Sequence, residues 1–388
     1  MDHNDRYIVE LSRAAIFDDT PFRPEKDVNW EYIYEKSVEQ KIAGLVFAAA
    51  SKLAGENKPP DDILAKFNDE MFATIALTSG QNIEFARTVK AALEKNIRLI
   101  GLKGCIIRNI YPVPELRTMS DYDILTSPEN LKDVRAFFEN IGYGYGKDAF
   151  GCVFEKDLFY WEVFTTMGEE FRINTEKWDK YFFENTVEEN GVYTVSPTAF
   201  LLHLIVHTGK HYVSTGAGIR NLMDIALYTA KYKDKIDFDL IKAACEEQNY
   251  KGIFEYTMTA LQLFYGVEND YAVSDKDKAE TFVEYSLESG VFGKHDNALA
   301  IQAAKPEDDS ISGIRKILFP SVKSLSYRYK YLQKAPFLLP VAWVQRVFSA
   351  IFKHKFSVGE MVMGMKDADE FSKHRLEKLK ELELDDVH

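Results

Sequence analysis

The stretch from Arg98 to Thr126, RLIGLKGCIIRNIYPVPELRTMSDYDILT, decides how this chain is read. Its apolar opening, Leu99-Ile100-Gly101-Leu102, reads as a short buried strand that breaks at Lys103-Gly104 into a weakly periodic apolar segment from Cys105 to Ile110. A second strand, Ser120 to Leu125, alternates with period two, which places Asp121 and Asp123 on one face and Tyr122 and Ile124 on the other. Two carboxylates on one face repel unless a cation lies between them. Hard oxygen ligands at this spacing suit Mg²⁺, which keeps its other positions for water and phosphate oxygens. The competing reading is an edge strand that carries acids against aggregation.

Working outward, Ser127-Pro128 reads as a helix start, with the helix running to Asn140. Gly142-Tyr143-Gly144-Tyr145-Gly146 looks like a phosphate loop, but it follows a helix instead of a strand and reads as a helix terminator and turn. Strands follow at Cys152 to Phe154 and Leu158 to Thr165, around a turn at Lys156-Asp157. Glu162 stands among aromatics in the second of them. A lone carboxylate in an apolar strand is costly unless paired or metal-bound, so Glu162 is a candidate site acid.

The order Leu102-Lys103-Gly104, Tyr111-Pro112, Arg117 and Ser120-Asp121-Tyr122-Asp123-Ile124-Leu125 resembles a bacterial family of uncharacterised nucleotidyltransferases, within the DNA polymerase β nucleotidyltransferase superfamily. The resemblance implies an α+β fold, a small mixed-sheet nucleotidyltransferase core flanked by larger N- and C-terminal helical regions. It also implies a third catalytic acid on a later strand, for which Glu162 is the candidate. Glu155, Asp157 and Glu169 are fallback acids. The family pattern on that strand is acid-x-His-aromatic, and Phe164 stands here at the position of the histidine.

Composition narrows the partners. Sixty-one acids against 48 bases give a formal charge of -13, which argues against a nucleic-acid substrate, since phosphate backbones are held by clustered Lys and Arg. A single nucleotide needs only one metal ion and a few local bases. Cys105, Cys152 and Cys245 have no metal-binding spacing, and the first residues show neither a basic leader nor an apolar run of signal length. A cytoplasmic protein with reduced thiols is expected.

The flanks are helical in period. Residues 1–96 read as an N-terminal helical region, with starts at Asn29-Trp30 and at Pro60-Asp61, the latter opening a long helix to Leu93. The α/β core is assigned to 97–195, a helical domain closing the cleft to 196–304, and a C-terminal helical extension to 305–388. After Ser196-Pro197, the residues His203, His207 and His211 recur every four positions and share one face if the helix continues past Gly209. His-x-x-x-His on a helix can chelate zinc, but no third ligand is evident in the sequence, and structural histidines remain the simpler account. Lys210 and Arg220 are candidate triphosphate contacts, although Arg220 is also spaced to pair with Asp224 along a helix. The apolar run near Pro336 to Phe352 is interrupted by Pro340 and is too short to span a bilayer. A helix docked on the core is the expectation there.

These readings converge on metal-dependent nucleotidyl transfer, with AMP moved from ATP to a small-molecule or protein hydroxyl. Asp121, Asp123 and Glu162 would hold one or two Mg²⁺ ions, Glu162 would alternatively take the acceptor proton, and Lys103, Gly104, Arg117, Ser120, Lys210 and Arg220 would line the nucleotide. The alternative is a catalytically inactive descendant kept as a binding or regulatory module, such as one half of a toxin-antitoxin pair, which would account for Phe164.

Overall fold

The computed structural model describes residues 1–24, 27–147, 152–168, 170–273, 275–290, 336–342 and 373–385. The chain opens with α1 (His3–Phe17), α2 (Trp30–Glu39) and α3 (Ala43–Ala50). Asn29 caps α2 by accepting a hydrogen bond from the Tyr32 amide at 3.1 Å. A 33-residue helix, α4 (Asp61–Leu93), begins directly after Pro60, where the break and the acidic first turn place it.

The sheet begins at β1 (Ile100–Gly101), which is followed by the short α5 (Gly104–Ile107), β2 (Tyr122–Leu125) and α6 (Leu131–Asn140). It is completed by β3 (Gly144–Lys147), β4 (Cys152–Lys156), β5 (Phe159–Phe164) and, after α7 (Thr175–Glu184), by β6 (Thr186–Glu189) and β7 (Val192–Val195). Seven strands lie in the order β3-β4-β5-β2-β1-β7-β6. The β2–β5 and β1–β7 pairs are parallel and the other four are antiparallel, so the sheet is mixed. The Gly142 to Gly146 segment is more than a terminator. Gly142, at φ 90°, ends α6, and Gly144 onward pairs with β4 as an edge strand.

One face of the sheet is packed by aromatics. Trp161 of β5 stacks on Tyr122 of β2 with ring centroids 4.2 Å apart, Phe85 of α4 lies against both, and Phe138 of α6 packs on Trp161. Each such side chain contributes about 1.5–3 kcal/mol by leaving water. The Tyr122 hydroxyl donates to the Gln81 carbonyl at 2.9 Å, and Gln81 Nε2 donates to the Met119 carbonyl at 2.9 Å, which ties the long helix to the acidic strand. Because Tyr122 and Ile124 face this cluster, Asp123 is turned to the opposite face.

Helices then take over: α8 (Pro197–Ser214), α9 (Ile219–Tyr232), α10 (Phe238–Glu247), α11 (Lys251–Tyr265) and α12 (Lys276–Ser289). Pro197 occupies the first turn of α8, and the helix passes through Gly209 without a break. A Cβ at Gly209 would lie 3.1 Å from Tyr250 Cδ1 and 3.2 Å from Ile253 Cγ2, so a glycine lets the following helices approach closely there. Two units are distinguished, residues 1–291 with 386–388, and residues 292–385. In the second unit residues 373–381 are helical and Pro336–Leu338 is a single 3-10 turn. The acidic stretch from Lys305 to Ser312 and most of the apolar run to Phe352 lie outside the described residues. Among the described residues no helix is long and apolar enough to cross a membrane.

Candidate active site

The turn after β1 sets the site. Lys103 takes φ 47° and ψ -127°, a conformation that side chains rarely adopt and that glycine tolerates freely. Holding a lysine there costs on the order of 1–3 kcal/mol. The turn directs its ammonium onto Asp123, with Nζ 2.7 Å from Oδ1. Gly104 follows because a Cβ there would lie 2.6 Å from Arg117 Nη1 and 3.0 Å from Met119 Cγ.

Asp123 is 4% exposed. Burial, opposed by Lys103 and reinforced by Asp121, lifts its carboxyl to about 6. Burial pulls the Lys103 ammonium down, but Asp123, Glu170 and Asp121 together hold it above the ordinary lysine range, so it stays charged. Parallel register makes Asp123 and Glu162 direct Cα partners on β2 and β5, and side chains paired in register project from the same face. Asp121 lies just before β2, half-buried, and accepts a hydrogen bond from the Ser120 hydroxyl at 3.0 Å. Among the fallback acids, Glu155 is exposed on β4 and Asp157 is exposed in the β4–β5 turn, while Glu169 lies outside the described residues. Phe164, the departure from the expected histidine, puts its ring 5.7 Å from the Lys103 ammonium.

The basic candidates divide into two groups. Arg117 makes a two-point ion pair with Asp224 of α9 through Nε at 3.3 Å and Nη2, and Tyr111 donates to the same carboxylate at 2.6 Å. Arg220 donates to the Thr118 hydroxyl at 2.7 Å and to the Thr118 carbonyl at 3.2 Å. Asp224 takes its two-point ion pair from Arg117, 107 positions away, and lies one helical turn from Arg220 on α9. Both guanidiniums are buried, and burial together with the neighbouring Arg117 lowers Arg220 to about 10. Lys210 of α8 lies 3.8 Å from Glu170 Oε1.

Glu170, which is not among the sequence candidates, is the residue that α8 gathers around. It is 7% exposed, and its Oε1 lies 3.2 Å from His207 Nδ1 and 4.0 Å from His203 Nε2. Burial alone would raise its carboxyl, but the His207 hydrogen bond and the charges around it, Lys103 included, hold it well below its ordinary value. Burial lowers His203 to about 3, His207 well below its usual range and His211 to about 4, so the imidazoles are neutral at pH 7. The neutral tautomer of His207 that donates from Nδ1 to Glu170 follows from this contact. Nothing in the Gly168-Glu169-Glu170 sequence, short of the tertiary contact, marks this carboxylate.

Carboxylates of Asp121, Asp123 and Glu162 offer oxygen donors of the kind that suit Mg²⁺, while the Lys103 ammonium, 2.7 Å from Asp123 Oδ1, holds the oxygen that a metal ion would take. Cys105 is not a rival nucleophile, since burial beside Asp123 pushes its thiol up to about 12. A separate cleft of about 840 Å³, lined by Arg6, Arg13, Phe17, Phe22, Lys233 and Phe264 among others, includes none of these residues.

A family model described as uncharacterised nucleotidyltransferase matches residues 26–266 of the chain. That span covers well over half of the 388 residues and every candidate named above, so the chain belongs to this family and is a nucleotidyltransferase. No curated protein and no solved structure matches the chain.

Proposed function

We propose that the protein transfers a nucleoside monophosphate, AMP from ATP, onto a hydroxyl of a small molecule or protein in a Mg²⁺-dependent reaction of the DNA polymerase β type. The observation that carries this reading is the register that sets Glu162 beside Asp123, with the Lys103-Gly104 turn bent over the same carboxylate. Asp121, Asp123 and Glu162 would hold Mg²⁺, which supplies charge neutralisation along the triphosphate. Alternatively, Glu162 would accept the proton of the attacking hydroxyl; Gly104 brings the backbone close to the phosphates, and Lys103 offsets charge on the departing pyrophosphate. Ser120 orients Asp121. Lys210 and Arg220 add positive potential toward the phosphates. Arg117 acts from behind the turn, where its pairing with Asp224 fixes the wall against which Gly104 packs. The domain division 97–195 for the core and 196–304 for the covering helices belongs to the same proposal.

A second reading, an inactive binding module, is favoured by one observation, that Lys103 already neutralises Asp123 and lies against Phe164 where the family has histidine. Calorimetry of Mg²⁺-ATP binding to wild type and to Asp121→Ala/Asp123→Ala separates them. Binding to the wild type and loss in the double variant is expected. Equal affinity in both, or none in either, removes the metal-pair assignment. Glu162→Gln is expected to keep nucleotide binding and to lose transfer once an acceptor is supplied, and undiminished turnover would place the third acid elsewhere.

A further inference from the structure

We propose that Glu170, His203 and His207 form a site for a divalent transition metal of the zinc class, distinct from the paired aspartates. His203 and His207 stand one turn apart on α8, and Glu170 reaches them from the segment after β5, so the third ligand that the helix sequence lacks is supplied by tertiary structure. The three donor atoms all lie within 4.8 Å of one another. Tetrahedral zinc with bonds near 2.0–2.1 Å sets neighbouring donors about 3.3 Å apart. The His207 Nδ1 to Glu170 Oε1 separation is 3.2 Å, and the His203 Nε2 separation is 4.0 Å, which would have to shorten on metal binding.

His203 is 2% exposed and turns Nε2, not Nδ1, toward Glu170. Its Nδ1 is buried and has no hydrogen-bond partner among the described residues, so packing and the place of His203 on α8 set the ring. The donor chemistry separates this site from the aspartates: two imidazoles with one carboxylate suit zinc, whereas Mg²⁺ takes oxygen alone. Three protein ligands leave a fourth position for water or a phosphate oxygen. The metal would replace the proton now shared between His207 and Glu170, and Lys210, 3.8 Å from the same carboxylate oxygen, is its competitor for Glu170. It would pin the segment after β5 to α8, next to Lys103. This site does not depend on the nucleotidyl-transfer reading.

The test uses the full-length protein. Stripped with EDTA and titrated with Co²⁺, the wild type is expected to take up one ion per chain with visible d–d bands of tetrahedral intensity, and Zn²⁺ is expected to displace it. X-ray absorption of the zinc form should show imidazole scattering. Glu170→Gln and His207→Gln should weaken uptake by at least about a hundredfold, more than the loss of a supporting group costs. Asp121→Ala/Asp123→Ala should leave it unchanged. An all-oxygen shell, no cobalt bands in the wild type, or bands retained in both ligand variants would overturn the proposal. If a ligand variant does not fold, the wild-type absorption spectrum decides alone.

Discussion

At the scale of single residues, the site combines buried charges with a strained lysine. Asp123 is a carboxyl whose folded value, about 6, lies above its unfolded one near 3.8. Its contribution to stability is therefore complete below the unfolded value and is lost as pH rises through about 6. Removing the Lys103 ammonium lifts that carboxyl further and enlarges the loss. Lys103→Met, measured in EDTA, is expected to cost about 3–5 kcal/mol at pH 8 and much less at pH 5, because an unpaired buried carboxylate is relieved by protonation. Denaturant midpoints at the two pH values check this, and an equal cost at both would mean that Asp123 is not left ionised. Arg117→Met removes the partner of a buried carboxylate in the same way and is expected to cost about 3–5 kcal/mol. Restoring charge alone with Arg117→Lys should recover little, since the two-point geometry is lost.

At the scale of elements, α4 is fastened to the sheet by polar contacts as well as by the aromatic face. Glu84 of α4 accepts a 2.6 Å hydrogen bond from Tyr143, which stands between α6 and β3, and pairs with Arg87 at 2.6 Å. Burial raises the Glu84 carboxyl, but these two contacts outweigh it and hold the group below its usual value. A lowered carboxyl contributes stability above the unfolded value near 4.5 and loses it as pH falls through the folded one. Glu84→Gln is therefore expected to flatten the acid limb of the stability curve. Tyr143→Phe should cost about 1–3 kcal/mol at neutral pH, the penalty for stranding one buried acceptor. Thermal melts from pH 3 to 7 distinguish the two, and an unchanged acid limb in Glu84→Gln would place the titration elsewhere.

At the scale of the whole molecule, the family match, the sheet and every candidate side chain fall within residues 1–291. A chain ending at Val291 is expected to unfold in one cooperative transition and to keep Mg²⁺-ATP binding if the full chain has it. Loss of the cooperative transition would show that the remaining residues complete the core. The net charge of -13 leaves the candidate site as a local concentration of Lys103, Arg117, Lys210 and Arg220 in an acidic protein. An exposed ion pair responds strongly to salt, whereas these buried groups are screened weakly. Nucleotide binding should therefore fall less between low and moderate salt than binding at an open basic surface does.

The sequence determined the local rules of this protein. Period-two alternation around Tyr122 and Ile124 turned Asp123 away from the aromatic core, the break at Lys103-Gly104 placed the turn, and Pro60-Asp61 and Ser196-Pro197 started their helices. Each of these follows from neighbours within a few residues. What required the tertiary structure were the long-range partners. Glu162 lies beside Asp123 because β5 runs parallel to β2. Asp224 takes its two-point ion pair from Arg117, 107 positions away. Gly144 became an edge strand because β4 supplied the ladder that local glycines cannot announce. Glu170 met His203 and His207 through the return of the chain after β5, so no spacing rule along the sequence reaches it. Side-chain periodicity is written in local sterics, whereas which carboxylate meets which cation depends on how distant elements pack.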